Sequence, residues 1–416
     1  MNHPVPNMHT TSLYSRNRAL LALFPLALAA IFTPATAFAN GTRLPNQDAE
    51  ATARGNAFVA TADNPSAIYY NPAGLTQLSG VQVLAGSYVI ETQNDYHPTT
   101  GGTVEAKREI AIIPHLYASF TPENSPLSYG LGVYSPFGQA SEWPDNSGFR
   151  TIATRNEITF ITIAPTIAWK ISDSLSIGAG LQINSVEAKL RNGLTPVPPG
   201  ELRFEGDDTS YGYNIGIMWK PSEHHVFGLN YQSRSTSHFK GSVELTSFGL
   251  SAPASVDLPF PDVITLGYSW RPTPKWNFEV GVDRTNWDLL NTATLDSALL
   301  TVPINFDWKP SYYYLFGVTR YLPDGWRVSA GYCYSQNSVP SDTFTPAVPD
   351  MSRHLASVGV GRTFGALSCY LTYQHGFKAS RSVSGSPTGP APFNQSADGR
   401  YENTINAISL SGGYAF

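Results

Sequence analysis

Charge is scarce in this chain. Of its 416 residues only 14% are Asp, Glu, Lys or Arg, where a soluble domain usually carries about a quarter. The 26 basic and 31 acidic residues leave a formal net charge of −5, which argues against a nucleic-acid surface. Cysteine is nearly missing: Cys333 and Cys369 are the only two, and no Cys/His group shows metal-ligand spacing. No metal and no cofactor is therefore expected. Beyond the N-terminus no apolar run approaches the ~20 residues of a transmembrane helix, and the long helical periodicity of a soluble α/β enzyme is lacking too. There is no G-x-S-x-G, and the histidines are scattered, with His224-His225 in a predicted short turn. A nucleophile oriented by a base is not visible, so the chain reads as a non-enzyme. The lack of a fixed-period repeat excludes a solenoid or propeller.

What is present is aromatic and small. The sequence holds 22 Tyr, 21 Phe, 8 Trp, 35 Gly and 32 Pro, and is 42% hydrophobic. High aromatic content without helical spans fits a transmembrane antiparallel β-barrel, whose lipid face takes only every second residue. Period-two segments carry that pattern. Trp276, Phe278, Val280 and Val282 alternate with Asn277, Glu279, Gly281 and Asp283; Ile264, Leu266, Tyr268 and Trp270 alternate with Thr265, Gly267 and Ser269. Leu175 to Ile183 behaves alike. Trp169, Trp219, Trp270, Trp287, Trp308 and Trp326 stand at segment ends, as interfacial girdles require. Short connections at 121–126, 172–174, 221–225, 272–275, 323–325 and near Gly365 alternate with long ones at 94–106, 142–153, 191–207, 243–261, 288–306, 338–351 and 379–401. That asymmetry gives about 14 strands, with both termini on the periplasmic side. Strand parity turns Cys333 inward and Cys369 toward lipid on non-adjacent strands, so they form no disulfide.

The first 39 residues read as a signal peptide: Arg16 and Arg18, an apolar core from Ala19 to Phe32, and Ala37-Phe38-Ala39 as cleavage site. A membrane anchor is the alternative, with a core too short to span; translation starting at Met8 stays open. Residues 40–80 then form a separate unit before the strands of 81–416. Within it Asn71 before Pro72 is an N-cap followed by a first helical residue. Asp63, two residues before Pro65, is a second candidate cap, so two short helical turns end at Gly80, where a strand begins. The chain closes on Ile408, Leu410, Gly412, Tyr414 and Phe416, alternating to the last residue.

Asn71-Pro72-Ala73-Gly74-Leu75, with Ala53-Arg54-Gly55-Asn56-Ala57 upstream, resembles the N-terminal hatch of FadL-type outer-membrane transporters of long-chain fatty acids and other hydrophobic compounds. Ile113 to Tyr117, Gly130 to Gly138, Leu258 to Gly267, Trp308-Lys309 and Pro349 to Arg353 follow in the family's order. The resemblance covers nearly the whole mature chain. It implies a monomeric, Gram-negative outer-membrane barrel of 14 strands, closed inside by a hatch that includes Arg54, Gly55, Asn71, Pro72, Ala73 and Gly74. It also implies a kinked third strand that opens the wall, and partners in lipid, lipopolysaccharide and the assembly machinery that reads Phe416.

The residues support a wall break independently. Leu127 to Ala140 alternates until Ser135-Pro136-Phe137-Gly138, where proline removes a ladder bond and glycine permits a bend. A loop beginning at Pro136 is the other reading. Segments 108–120 and 158–168 offer apolar residues to both faces, with Ile113, Tyr117, Ile161 and Ile163 as candidates for an apolar lumen; contacts for the hatch are the alternative use. Lys309 and Arg353 face inward by parity. By resemblance Lys309 matches a basic position near a bound carboxylate, and Arg191 lies one place off another. Surface or structural ion pairing is the alternative for all three. Passive uptake of a hydrophobic solute follows, long-chain fatty acid first and aromatic hydrocarbon second. A general porin would need a polar, unplugged lumen, and a barrel lipase would need the missing nucleophile.

Overall fold

The computed structural model describes residues 41–416. The leader expected over 1–39, and Asn40, lie outside the described residues. The wall begins with β1 (Gly80–Pro98), β2 (Glu109–Thr121), β3 in two parts (Leu127–Tyr134 and Gly138–Glu142), β4 (Arg155–Lys170), β5 (Leu175–Gly193) and β6 (Glu201–Ser222). It continues through β7 (His225–Gln232 and Ser235–Leu245), β8 (Leu250–Phe260 and Val263–Thr273), β9 (Trp276–Thr285) and β10 (Ser311–Tyr321). The last four are β11 (Trp326–Ser335), β12 (Arg353–Phe364), β13 (Leu367–Val383) and β14 (Gly399–Ala415). Each strand pairs antiparallel with the next. β1 pairs with β14 from Gln82↔Ala415 to Pro98↔Gly399, closing a 14-strand barrel. Closure leaves no free edge strand in lipid, apart from the stretch of β2 beside the gap in β3.

Period two decides which face is which. Leu181, Tyr213, Ile215, Leu266, Phe316 and Leu371 are exposed on the outer wall, while Asn184, Ser210, Asn214, Ser269, Asn277 and Thr319 are buried inside. Cys333 is buried and Cys369 exposed, both as free thiols. Trp169, Trp219, Trp270 and Trp326 face outward beside the short turns. Trp287 and Trp308 do not join that girdle: both are buried inside the barrel. They sit in irregular backbone between β9 and β10, where strand parity has no hold; Trp287 opens a 3-10 turn, Trp287–Leu289.

Three stretches expected as long loops are largely ladder. β5 and β6 pair as far as Gly193↔Glu201, β7 and β8 as far as Leu245↔Leu250, and Thr292–Ser297 forms a hairpin with Thr301–Asn305. Their inward residues, among them Phe204, Phe239, Val243 and Leu295, are buried in one apolar cluster with Trp287 and Trp308. Burying that face holds the strands together above the membrane, so the wall rises into a vestibule.

Candidate functional site

Residues 41–79 are folded inside the barrel as the hatch. Asp48 accepts from Ala51 N at 3.2 Å and caps helix α1 (Ala49–Ala53). Asn71 accepts from Ala73 N at 3.2 Å and caps a 3-10 helix, Pro72–Gln77, with Pro72 at its first position. Asp63 caps nothing. The cap residue of helix α2 (Ala67–Tyr70) is Ser66, turned by Asn64, whose side chain accepts from Ser66 N at 2.9 Å. Asp63 instead faces Arg271 at 3.5 Å.

Glycines on the inner wall let the hatch backbone lie against the strands. A Cβ at Gly178 would stand 2.5 Å from the Pro72 carbonyl carbon, and one at Gly317 would stand 2.7 Å from Arg54 O. At Gly216 it would strike Asn71 and Pro72, and at Gly331 it would strike Gly55 N. Gly55 itself has φ +59°, a conformation that only glycine adopts freely. The Asn71 side chain also donates to Val59 O at 2.8 Å and to Ile217 O at 3.1 Å. The NPAG turn thus docks to the wall and to its own hatch.

Charge holds the hatch from two sides. Glu279 on β9 accepts from Ala60 N (2.9 Å), Thr61 Oγ1 (2.5 Å) and Arg54 Nη2 (3.3 Å), all buried. Asp283, four residues on, meets Arg43 at 2.5 Å, and Thr285 accepts from the same guanidinium at 3.0 Å. On the periplasmic side Arg327 donates to both oxygens of Glu50, at 3.1 and 2.9 Å. These anchors were not assigned from sequence, although the inward parity of Glu279 and Asp283 was legible there: a carboxylate inside a barrel must find a partner.

The wall is broken at residues 135–137. β2 pairs with β1 along its whole length but with β3 only from Leu116↔Val133 to Phe120↔Tyr129. The upper part of β3 pairs with β4 alone, so residues 109–115 of β2 have no ladder partner on that side. Hatch residues 42–47 stand in for the missing ladder. Gly138 N donates to Thr42 O and Leu44 N to Pro136 O, each at 2.8 Å, and Arg43 bridges Phe137. Gln47 closes the fork: its Nε2 donates to Ser135 O at 2.6 Å and its Oε1 accepts from Ser135 N at 3.2 Å. Ser135 N and O, Pro136 O and Gly138 N, all beside the proline break, are met by hatch backbone or by Gln47, as a non-aqueous wall demands.

Above this seam lies an apolar cavity of about 400 Å³, lined among others by Phe204, Phe239, Phe260, Trp287, Trp308 and Phe344. Phe137, from the break itself, packs tilted against Phe260 with ring centroids 5.2 Å apart and edge-on against Trp287 at 6.2 Å. One ring therefore separates the cavity from the gap.

Of the residues read from sequence, Arg54, Asn71 and Ala73 are buried in the hatch, with Gly55, Pro72 and Gly74 beside them. Ile113 and Tyr117 are inward but touch the hatch, not the cavity: Ile113 packs with Leu44, and Tyr117 donates to Gln47 O at 3.1 Å. Ile161 and Ile163 point outward; the inward set on β4 is Ile158, Phe160, Thr162 and Ala164. With apolar residues on both faces of that strand, alternation alone does not mark which face is inward. Arg191 also points outward and is exposed, because its neighbours Leu190 and Asn192 take the inner face. Lys309 is exposed and lies ahead of β10 in irregular backbone, so the parity that turned it inward does not reach it. Arg353, the first residue of β12, is inward and buried.

Residues 29–416 match the family model described as outer membrane protein transport protein (OMPP1/FadL/TodX). The long-chain fatty acid transport protein of Escherichia coli O6:H1 is 22% identical over 370 residues, 77% of this chain and 83% of its own length. Among solved structures, a FadL homologue of Pseudomonas aeruginosa superposes with a TM-score of 0.81 at 20% identity, covering 90% of this chain and 100% of that one. The toluene transporter TodX of Pseudomonas putida superposes at 0.70 with 16% identity, covering 92% and 100%. At these identities the structural likeness speaks to the fold.

Proposed function

The chain belongs to the OMPP1/FadL/TodX family of outer-membrane transport proteins, and on that premise we propose that it takes up long-chain fatty acids by a sideways route through its wall. The observation that carries this reading is the seam at 135–137, where strand pairing is replaced by hatch residues 42–47 beside an apolar cavity. A solute enters the vestibule and exchanges water for the cavity wall, each buried methylene contributing about 0.8 kcal/mol. Displacing residues 42–47 then removes the surrogate ladder and swings Phe137 aside, leaving an apolar exit between β2 and β3. The cavity's volume supports a long chain: at about 400 Å³ it is more than twice the roughly 150 Å³ that houses a benzene ring in an engineered protein core. Aromatic hydrocarbons are the second reading, favoured by the ring-rich lining. Lys189, near that lining, is held by Glu187 at 2.8 Å and Glu205 at 3.5 Å, which suits a neutral solute.

The test rebuilds the ladder. Replacing Pro136-Phe137-Gly138 by Thr-Phe-Thr lets β3 run on beside β2, each regained bond contributing on the order of 1 kcal/mol. Uptake into vesicles of radiolabelled hexadecanoate and of toluene is expected to fall together, about tenfold or more, while the barrel still folds. The control is Pro165→Thr, which removes a lipid-facing proline from β4 where Leu131 already pairs with it. Wild-type uptake by the rebuilt variant would send the solute straight down past the hatch instead.

A further inference from the structure

One register row on the lipid-facing wall runs Trp219, Phe227, Tyr268, Val280 and Phe316, from β6 to β10. All but Val280 are aromatic. Trp219 and Phe227 stack with centroids 5.3 Å apart, and Phe227 lies 5.0 Å from Tyr268. Val280 is the gap in the row. With Val282 on the same face it floors an apolar furrow of about 530 Å³ that the rings flank. The ladders beneath are unbroken: β8 pairs with β7 from Val263↔Gln232 to Trp270↔His225, and β9 with β10 from Trp276↔Arg320 to Thr285↔Ser311. On the inner side hatch residue Val59 fills the space behind Gly228 and Gly267. The furrow therefore does not lead into the lumen, and what occupies it comes from the bilayer.

Arg320 stands toward the periplasmic rim, on the same strand as Phe316. Four residues of strand rise separate them by about 13 Å, within the roughly 15 Å depth of one hydrocarbon leaflet. The Arg320 guanidinium lies 4.6 Å over the Trp276 ring, and among the described residues it has no ion pair. Other cations at this rim are engaged: Lys220 donates to Gln77 Oε1 at 2.7 Å, Arg271 faces Asp63 at 3.5 Å, and Arg327 holds Glu50 at 2.9 Å. Lys275 adjoins Arg320, its carbonyl accepting from Tyr321 N at 2.8 Å. Its side chain has no ion pair among the described residues either, and the turn 271–276 contains no acid. We propose that the furrow is a phospholipid site on the outer wall: an acyl chain lies over Val280, the phosphate rests on Arg320, and net-anionic head groups are preferred. An indole beneath the guanidinium holds its plane and leaves the donor edge free for phosphate oxygens. Two cations without an acid favour a head group that carries no amine of its own. The short turns face the periplasm, so the lipid belongs to the inner leaflet of the outer membrane and is not lipopolysaccharide.

Native mass spectrometry of the purified barrel tests this, in an equimolar mixture of phosphatidylglycerol and phosphatidylcholine with identical palmitoyl-oleoyl chains. Wild type is expected to retain phosphatidylglycerol with about tenfold preference. Arg320→Gln is expected to remove the preference. Val280→Trp, which fills the gap in the aromatic row, is expected to remove the retained lipid itself. Arg362→Gln is the control: that guanidinium also stacks on a rim tryptophan, 5.0 Å over Trp326, but does not border the furrow, and the variant should bind as wild type does. The temperature at which the folded band disappears from gels gives a second readout. In wild type it is expected to rise by a few degrees with phosphatidylglycerol and not with phosphatidylcholine, and in Arg320→Gln with neither. Equal retention of both lipids by wild type, a preference that survives Arg320→Gln, or an equal loss in Arg362→Gln would each overturn the assignment. So would lipid retained unchanged by Val280→Trp. Each of these results would mean non-selective annular lipid only. Heat-modifiability on unheated gels checks that each variant has folded.

Discussion

A single carboxylate on the wall, Glu279, receives three hatch donors. Glu279→Gln leaves Arg54 buried without its counter-charge, which costs about 3–5 kcal/mol in comparable sites. The barrel is expected to persist while the hatch loosens, read as trypsin cleavage at Arg54 in folded, heat-modifiable protein; an uncut hatch would mean that Glu279 is dispensable. Glu50 behaves differently. Burial pushes its carboxyl up to about 7, with Arg327 pulling it down and Asp63 and Asp48 adding to the rise. A carboxyl raised in the folded state contributes its stability in full below its ordinary value of 4.5 and loses it as pH climbs through about 7. Seating of α1 is therefore expected to weaken across that window, and Glu50→Gln to flatten the dependence, measured by hydrogen exchange of residues 49–53. A slope that survives Glu50→Gln would point to another group.

At the scale of elements, the hatch is placed by what the strands lack. Gly178, Gly216, Gly317 and Gly331 form inward gaps on β5, β6, β10 and β11 into which hatch backbone fits at sub-van-der-Waals distance from any added Cβ. Gly331→Val puts a branched side chain against Arg54 and Gly55. It should displace the hatch while leaving period two intact, so the barrel is expected to fold and to conduct ions in planar bilayers more readily than wild type. An unchanged conductance would show that the hatch tolerates the intrusion. The seam at β3 follows the same logic. Proline and glycine at 136 and 138 mark the break in the sequence, but its partner, Thr42 to Gln47, lies about 90 residues upstream and carries no motif of its own.

For the whole molecule, a closed meander of 14 strands, each pairing with the next and the last returning to the first, should behave as one resistant unit. Protein folded in detergent is expected to show β-type circular dichroism and to migrate faster before heating than after. Mainly helical dichroism would contradict the fold.

The amino-acid sequence by itself determined the barrel, because lipid admits only a closed ladder and every membrane-spanning strand must then show period two. It also determined the hatch cap at Asn71-Pro72 and the place of the β3 break, since proline and asparagine act on their own backbone. Only the tertiary structure decided which side chains share the lumen. Parity is local and lapses in irregular backbone, so Trp287, Trp308 and Lys309 could not be oriented by counting. It is also blind where both faces of a strand are apolar, so Ile161 and Ile163 turned out toward lipid while Ile158 and Phe160 turned in. The pairing of Gln47 with Ser135 and of Arg43 with Asp283 depends on how a segment folded inside the barrel meets walls 88 and 240 residues away. No local propensity encodes such distances; closure of the barrel around the hatch sets them.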